Sequence, residues 1–272
     1  MVVIAHMSRK QTGPRVPAPV SSARAVQPKE KKGSTPSKLF IAAKKLYASD
    51  SKADHRTAFK LLKQAASLGN VPAHEWLGAA YDYGLGTRPN RQRSFEHYGI
   101  AAEAGNPNAE YHVGVFYFEG IGTKRDFTSA LKWTRKAVRH GDADALHLLA
   151  RCYRFGTGVN KNAAKGFKLQ LRAAKKGAPE AQFSVGVCFS RGDGVRADQR
   201  KAFQWYLRAA KRGHDDAAYN LALFYEEGRG VKRSQTKSEF WYARSRELNL
   251  QRLATDIYER GKKPSSALRS TF

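Results

Sequence analysis

The pair G-x-G returns five times at an unbroken interval of 36 residues: Gly84 and Gly86, Gly120 and Gly122, Gly156 and Gly158, Gly192 and Gly194, Gly228 and Gly230. A fixed period in this range means a repeat architecture, and it governs how every local motif inside it is read. Ala73, Ala109, Ala145, Ala181 and Ala217 keep the same step, as do Tyr81, Tyr117, Tyr153, Phe189 and Tyr225. Five units follow, 73–108, 109–144, 145–180, 181–216 and 217–252. Residues 37–72 match only the second half of a unit, through Ala58, Ala65, Ala66 and Gly69, and read as a degenerate N-terminal capping repeat.

Each unit reads as two helices, A and B, joined by the glycine turn. In AQFSVGVCFSRG the apolar positions have helical spacing and stop at Gly192. Helix B starts at a register held by Asp54, Asn90, Asp126, Asn162, Asp198 and Ser234, whose side chains can cap the free N–H groups of a first turn. It ends at Gly69, Gly105, Gly141, Gly177, Gly213 and Asn249, types that tolerate the left-handed C′ conformation. The stretch GDGVRA, residues 192–197, also satisfies G-x-G-x-x-G/A, the phosphate-holding loop of dinucleotide-binding folds. Across the units that third position reads Pro89, Arg125, Lys161, Ala197 and Arg233, and helix A stands where such a fold needs a strand. The glycines are therefore expected to form the tight turn between helices A and B with positive φ. No cofactor is expected.

Written out, the unit is A-x-x-x-L-G-x-x-Y-x-x-G-x-G-V, a cap, then K-A-x-x-W-Y-x-x-A-A-x-x-G. Residues 181–216 fit it nearly throughout, at Ala181, Gly186, Gly192, Gly194, Val195, Asp198, Lys201, Ala202, Trp205, Tyr206, Ala209, Ala210 and Gly213. This pattern resembles the Sel-one-like repeat, a close relative of the tetratricopeptide repeat, over residues 37–252. Gly166 and Leu169 replace the usual Ala and Trp of the third unit, and Glu239 and Arg246 point to an exposed terminal face in the last. The resemblance implies an all-α, right-handed α-solenoid of stacked antiparallel helix pairs, with helix A usually concave. It also implies an adaptor rather than a catalyst. Physical reasoning reaches the stacking on its own, because one helix pair cannot bury its apolar face.

Lys and Arg number 49 against 23 Asp and Glu, a formal charge of +26. Residues 1–36, rich in Pro, Ser, Lys and Arg, read as a disordered basic arm, and 253–272 as a C-terminal helix or tail. Most of the excess nevertheless lies on the repeats, and part of it is ordered. Lys136, Arg172, Arg208 and Arg244 share one helix B register; Arg139, Lys175 and Lys211 share another three residues on, hence the same face. With stacked helices roughly 8–10 Å apart, these residues form a basic ladder. Two roles fit such a ladder. With the arm it can serve a polyanion such as nucleic acid, or the cations can simply complement helix C-termini on a solvated back face.

Cys152 and Cys188 lie 36 residues apart in a helix A register shared with Ala80, Phe116 and Phe224, so buried, reduced thiols are expected. One secreted branch of the resembled family, reported as binding penicillin, pairs cysteines between helices A and B; helix B has none here. The eight histidines show no metal-ligand spacing. Trp133, Trp205 and Trp241, with Tyr98, Tyr206 and Tyr242, fall in core registers and are expected to pack between helices rather than stack on bases. No catalytic grouping recurs. No apolar run is long enough for a membrane span, so a cytoplasmic protein is expected, or an organellar one if residues 1–36 act as a transit peptide. The expected function is a non-enzymatic scaffold binding protein partners on its helix A surface, at Trp76, Tyr83, His112, Arg151, Phe155, Arg191 and Asn220. Polyanion binding through arm and ladder is the alternative.

Overall fold

The computed structural model describes residues 35–49 and 51–261. The expected arm, apart from its last two residues, and the chain beyond 261 lie outside the described residues. Among the described residues there are twelve α-helices and no strand. They form six antiparallel pairs. The first three are α1 (Thr35–Tyr47) with α2 (Lys52–Ser67), α3 (Val71–Tyr83) with α4 (Arg91–Glu103), and α5 (Pro107–Glu119) with α6 (Phe127–Arg139). Then come α7 (Ala143–Phe155) with α8 (Ala163–Lys175), α9 (Pro179–Arg191) with α10 (Gln199–Lys211), and α11 (Asp215–Glu227) with α12 (Gln235–Gly261). Each helix B from α2 to α10 also packs on the helix A that follows it, which makes the array an α-solenoid.

The caps explain where helices begin. Asn90, Asn162 and Asp198 accept from the N–H three residues on, at 2.8–2.9 Å, and Asp126 accepts from Thr128 and Ser129. Ser234 Oγ accepts from Lys237 N at 3.4 Å. The first unit differs: Ser51 is its N-cap, and Asp54 supplies the N–H that Ser51 receives. Helix A has a cap column too, which the repeat pattern had not pointed to: Asn70, Asn106, Asp142 and His214 all accept from the N–H three residues on. At the other end, Asn249 does not terminate its helix. Helix α12 runs through it to Gly261, and the Asn249 amide donates to Asp215 Oδ2 at 3.3 Å. With Asn rather than Gly there, nothing forces the chain into the left-handed turn.

Both glycines of each G-x-G pair have positive φ, 65–77°. The first ends helix A as an αL cap. The second is needed for a different reason, its closeness to the preceding unit. A Cβ on Gly194 would lie 2.2 Å from the Ala163 carbonyl oxygen, and one on Gly122 would lie 2.3 Å from that of Arg91. Each turn therefore rests on the start of the previous helix B. The turn closes when the helix B cap residue donates its N–H to the aromatic register of helix A, as Asn162 N does to Tyr153 O at 2.7 Å.

Between units the core is an edge-to-face ring contact repeated along the axis. Phe59–Tyr81, Phe95–Tyr117, Phe167–Phe189 and Phe203–Tyr225 have centroids 5.2–5.3 Å apart and planes at 83–90°. Leu131 takes the ring's place opposite Tyr153, and Glu239 occupies the same register on α12. Tyr98 and Tyr206 are buried as expected, as is Trp133 at the margin of the core, while Trp205 and Trp241 are half-buried. Gly166 lets α8 approach α7, since its Cβ would stand 2.8 Å from the Ala150 carbonyl oxygen. On α12 the exposed Glu239 and Arg246 replace the aromatic or aliphatic and small residues that earlier helices B bury against the next unit.

Candidate functional site

The helix A side of the solenoid carries a stripe assembled from four registers. Its centre is a row of half-buried apolar residues, Val115, Val187 and Leu223, interrupted by exposed Arg151. One flank holds half-buried Tyr83 and exposed Glu119, Phe155, Arg191 and Glu227; Phe155 is 51% exposed, with the Arg154 guanidinium 5.2 Å from its ring centre. The other flank holds His112, Ser184 and Asn220, all half-buried, with exposed Glu180 and Asp216 at its edge. His112 lies on the Tyr98 ring, centroids 4.4 Å apart, and burial lowers its pKa to about 4. Trp76 shares the register of His112 but is a correction to the expected surface: it is only 8% exposed and packs against Tyr47 and Phe40. The helix pair α1 and α2 covers it.

Several acidic side chains are engaged in contacts within helix pairs and between them. Glu75 is buried and accepts from Asn106 and Asn108 of the next unit, each at 2.7 Å; burial raises its pKa. Glu110, also buried and also raised by burial, lies 2.7 Å from His140 Nδ1. Arg91 pairs with Asp82, Arg154 with Asp193 at 2.5 Å, and Arg252 with Asp215 at 3.1 Å. Such pairs set register between stacked elements more than they add stability. His214, Asp215 and Asp216 hold potential ligand atoms within 4.8 Å of one another. The His214 ring, however, caps α11 through Nδ1 and faces Glu180 Oε2 at 3.3 Å through Nε2, and Asp215 is occupied by Arg252 and Asn249. The arrangement is that of a helix start, in which His214 Nδ1 and the Asp215 carboxylate already serve protein partners.

With the acids engaged, the helix B side is left basic. Of the ladder, Arg139, Arg172, Lys175, Arg208 and Lys211 are exposed. Lys136 is more enclosed, lying 4.0 Å from the Trp133 ring centre and 4.0 Å from Glu103, and Arg244 pairs with Glu247 at 2.5 Å. The Arg208 guanidinium sits 4.6 Å from the Trp205 ring centre, a cation–π contact. One register beyond the ladder the cations are structural: Lys176 and Arg212 donate to the carbonyl oxygens of Gly141 and Gly177, the left-handed glycines one unit back. Lys165, and then Arg135, hydrogen-bond the Tyr153 phenol and lower its pKa.

Cys152 and Cys188 are free and buried, and burial raises both thiol pKa values. Among the described residues no helix is long and apolar enough to cross a membrane.

Comparison with known proteins places this geometry. The family model for the Sel1 repeat matches residues 43–70, 71–106, 107–142, 143–177, 179–214 and 215–250. A Sel1 repeat protein from Oxalobacter formigenes is 30% identical, with a TM-score of 0.73 over 78% of this chain and 87% of that one. The chain is 25% identical to c5321, a protective antigen of uropathogenic Escherichia coli with the same kind of fold, over 85% of its own length and 49% of the antigen's (TM-score 0.67). The immunity protein Pa5087 of Pseudomonas aeruginosa, 17% identical, shares the fold with a TM-score of 0.54, covering 84% of this chain and 86% of that one. No curated protein matches the sequence. Six matched repeats spanning most of the chain make it a member of the Sel1 repeat family.

Proposed function

We propose that the chain is a non-enzymatic scaffold that holds a protein partner along the helix A stripe. Sel1 repeat proteins are in general protein-interaction scaffolds, and their fold is a non-catalytic one. The observation that supports this site is the composition of the stripe. A row of half-buried apolar residues (Val115, Val187, Leu223), interrupted by Arg151 and lying beside exposed Phe155, is rimmed by charges of both signs, Arg191 with Glu180 and Asp216. Apolar centres with polar rims are what protein interfaces use, and a few central residues carry most of the binding. Tyr83, His112 and Asn220 belong to the same surface; Trp76 supports it from beneath.

The test begins with photo-crosslinking residues placed at Phe155 and, as a control, at Lys168 on the opposite side. A protein crosslinked from Phe155 alone is then purified and its affinity measured against Phe155→Ala, Arg191→Ala and Asn220→Ala variants. A central anchor contributes about 2 kcal/mol or more, so at least one variant is expected to weaken binding by about thirtyfold. Unchanged affinity in all three, or equal crosslinking from both positions, would reject the stripe.

A further inference from the structure

The helix B side of three consecutive units differs from the rest of the molecule in two independent ways. First, α6, α8 and α10 each carry four Lys or Arg and not one Asp or Glu. Their neighbours on the same side are mixed: α4 contains Glu96 and Glu103, and α12 contains Glu239 and Glu247. Second, the band exposes no large apolar side chain; its most accessible ones, such as Trp205 and Leu207, are half-buried. The large hydrophobic residues that are exposed, such as Ile100, Phe155, Tyr219 and Phe240, all lie on other helices.

We propose that this band, the outer surface of α6, α8 and α10, binds the phosphate backbone of a nucleic-acid duplex without regard to sequence. A protein partner needs an apolar anchor at the centre of its footprint, and no large apolar side chain of the band is exposed. Duplex binding without base readout needs only Lys and Arg at phosphates. Among the described residues no acidic group lies within ion-pair distance of Lys168, Arg172, Lys175 or Lys211, so a phosphate displaces no existing partner there. Arg208 is ordered in advance on Trp205. Three successive helices B carry the cations along the solenoid, and a duplex meets them with an axial charge spacing of about 1.7 Å. This surface lies across the solenoid from the helix A stripe, and the inference stands independently of that reading.

The test uses the full-length protein and short labelled duplexes of arbitrary sequence, one DNA and one RNA, in a salt titration followed by fluorescence anisotropy. Reversing Arg172, Lys175, Arg208 and Lys211 to Glu is compared with reversing four exposed residues of the A–B turns, Arg88, Lys124, Arg196 and Lys232. Each lost phosphate contact removes about 0.9 from the slope of log K against log salt. Four lost contacts flatten the DNA slope by about 3.6, so between 50 and 200 mM salt the wild type loses about 150-fold more affinity than the helix B variant. The turn variant, matched in charge, is expected to keep the wild-type slope on both duplexes. Substitution of the same helix B residues by Gln must reproduce the loss, which removes charge reversal as its cause. Equal losses from both sets, no binding by the wild type, or equal competition by a poly-glutamate peptide or by phosphatidylserine vesicles would overturn the assignment.

Discussion

The second glycine of each G-x-G pair can be tested against the first, because the two share a backbone conformation and differ in their surroundings. Gly192 has φ +73°, and a Cβ there would meet only ordinary contacts at 3.5 Å. Gly194 has φ +74°, and its Cβ would stand 2.2 Å from the Ala163 oxygen and 2.5 Å from the Ala163 carbonyl carbon. An L side chain in the left-handed region costs about 1–2 kcal/mol at either site. Gly194→Ala adds an overlap with backbone that cannot rotate away, and forcing atoms into a packed interior costs about 1–3 kcal/mol more. The expected loss is therefore about 1–2 kcal/mol for Gly192→Ala and about 2–5 kcal/mol for Gly194→Ala. At this chain length each kcal/mol shifts Tm by about 2–4 °C, so the variants should separate by about 2–12 °C in thermal unfolding followed by circular dichroism. The overlap falls between two units. Gly194→Ala should therefore also loosen their coupling and broaden the transition, as nearest-neighbour stability in a repeat array requires. Equal Tm values for the two variants would show that the turn does not rest on the preceding helix, and that this contact is not what requires the second glycine of each pair.

Asp142 caps α7 while burial, ahead of the nearby Asp144, raises its pKa from 3.8 to about 6. Because the folded state then holds a proton that the unfolded state releases first, stability from this group is full below pH 3.8 and is lost as pH rises through about 6. Asp142→Asn keeps the cap, as Asn70 and Asn106 do at the equivalent position. It should gain up to about 3 kcal/mol over wild type at pH 7.5 and little at pH 4, measured by urea unfolding at both values. A gain equal at the two pH values would refute the burial argument. Cys152 and Cys188, 1% and 0% exposed, should react with a thiol reagent only as fast as the chain opens, and rapid native-state labelling of both would contradict their burial.

Much of the fold was legible because the repeat prints each local signal several times. A single Asn or Gly is weak evidence of a cap, but Asn90, Asp126, Asn162 and Asp198 in one column are strong evidence. The errors fell at the ends, where the column has no neighbour to enforce it. Ser51 took the cap from Asp54, and α12 ran through Asn249. Burial was less legible than helix position. Trp76 occupies a surface register, yet α1 supplies two rings that cover it, Phe40 and Tyr47, and period alone carries no information about what the capping repeat covers. The helix A caps were available to sequence reasoning, since Asn70, Asn106 and Asp142 each follow a C′ glycine directly. Contacts such as Glu75 with Asn106 were not, because they join residues that are adjacent only after stacking.

The polar end of α12 has a meaning beyond the single molecule. A solenoid is a head-to-tail interface used repeatedly within one chain, and a head-to-tail interface that does not close grows into an open-ended fibre when it is offered between molecules. Helix α12 breaks that series by placing Glu239 where Phe95, Phe167 and Phe203 receive the next ring, and Arg246 where Ala102 and Ala210 are buried. A second molecule arriving there would have to desolvate a carboxylate and a guanidinium against an aromatic edge. At this face of α12 the two exposed charges therefore oppose the docking of a further stacking surface.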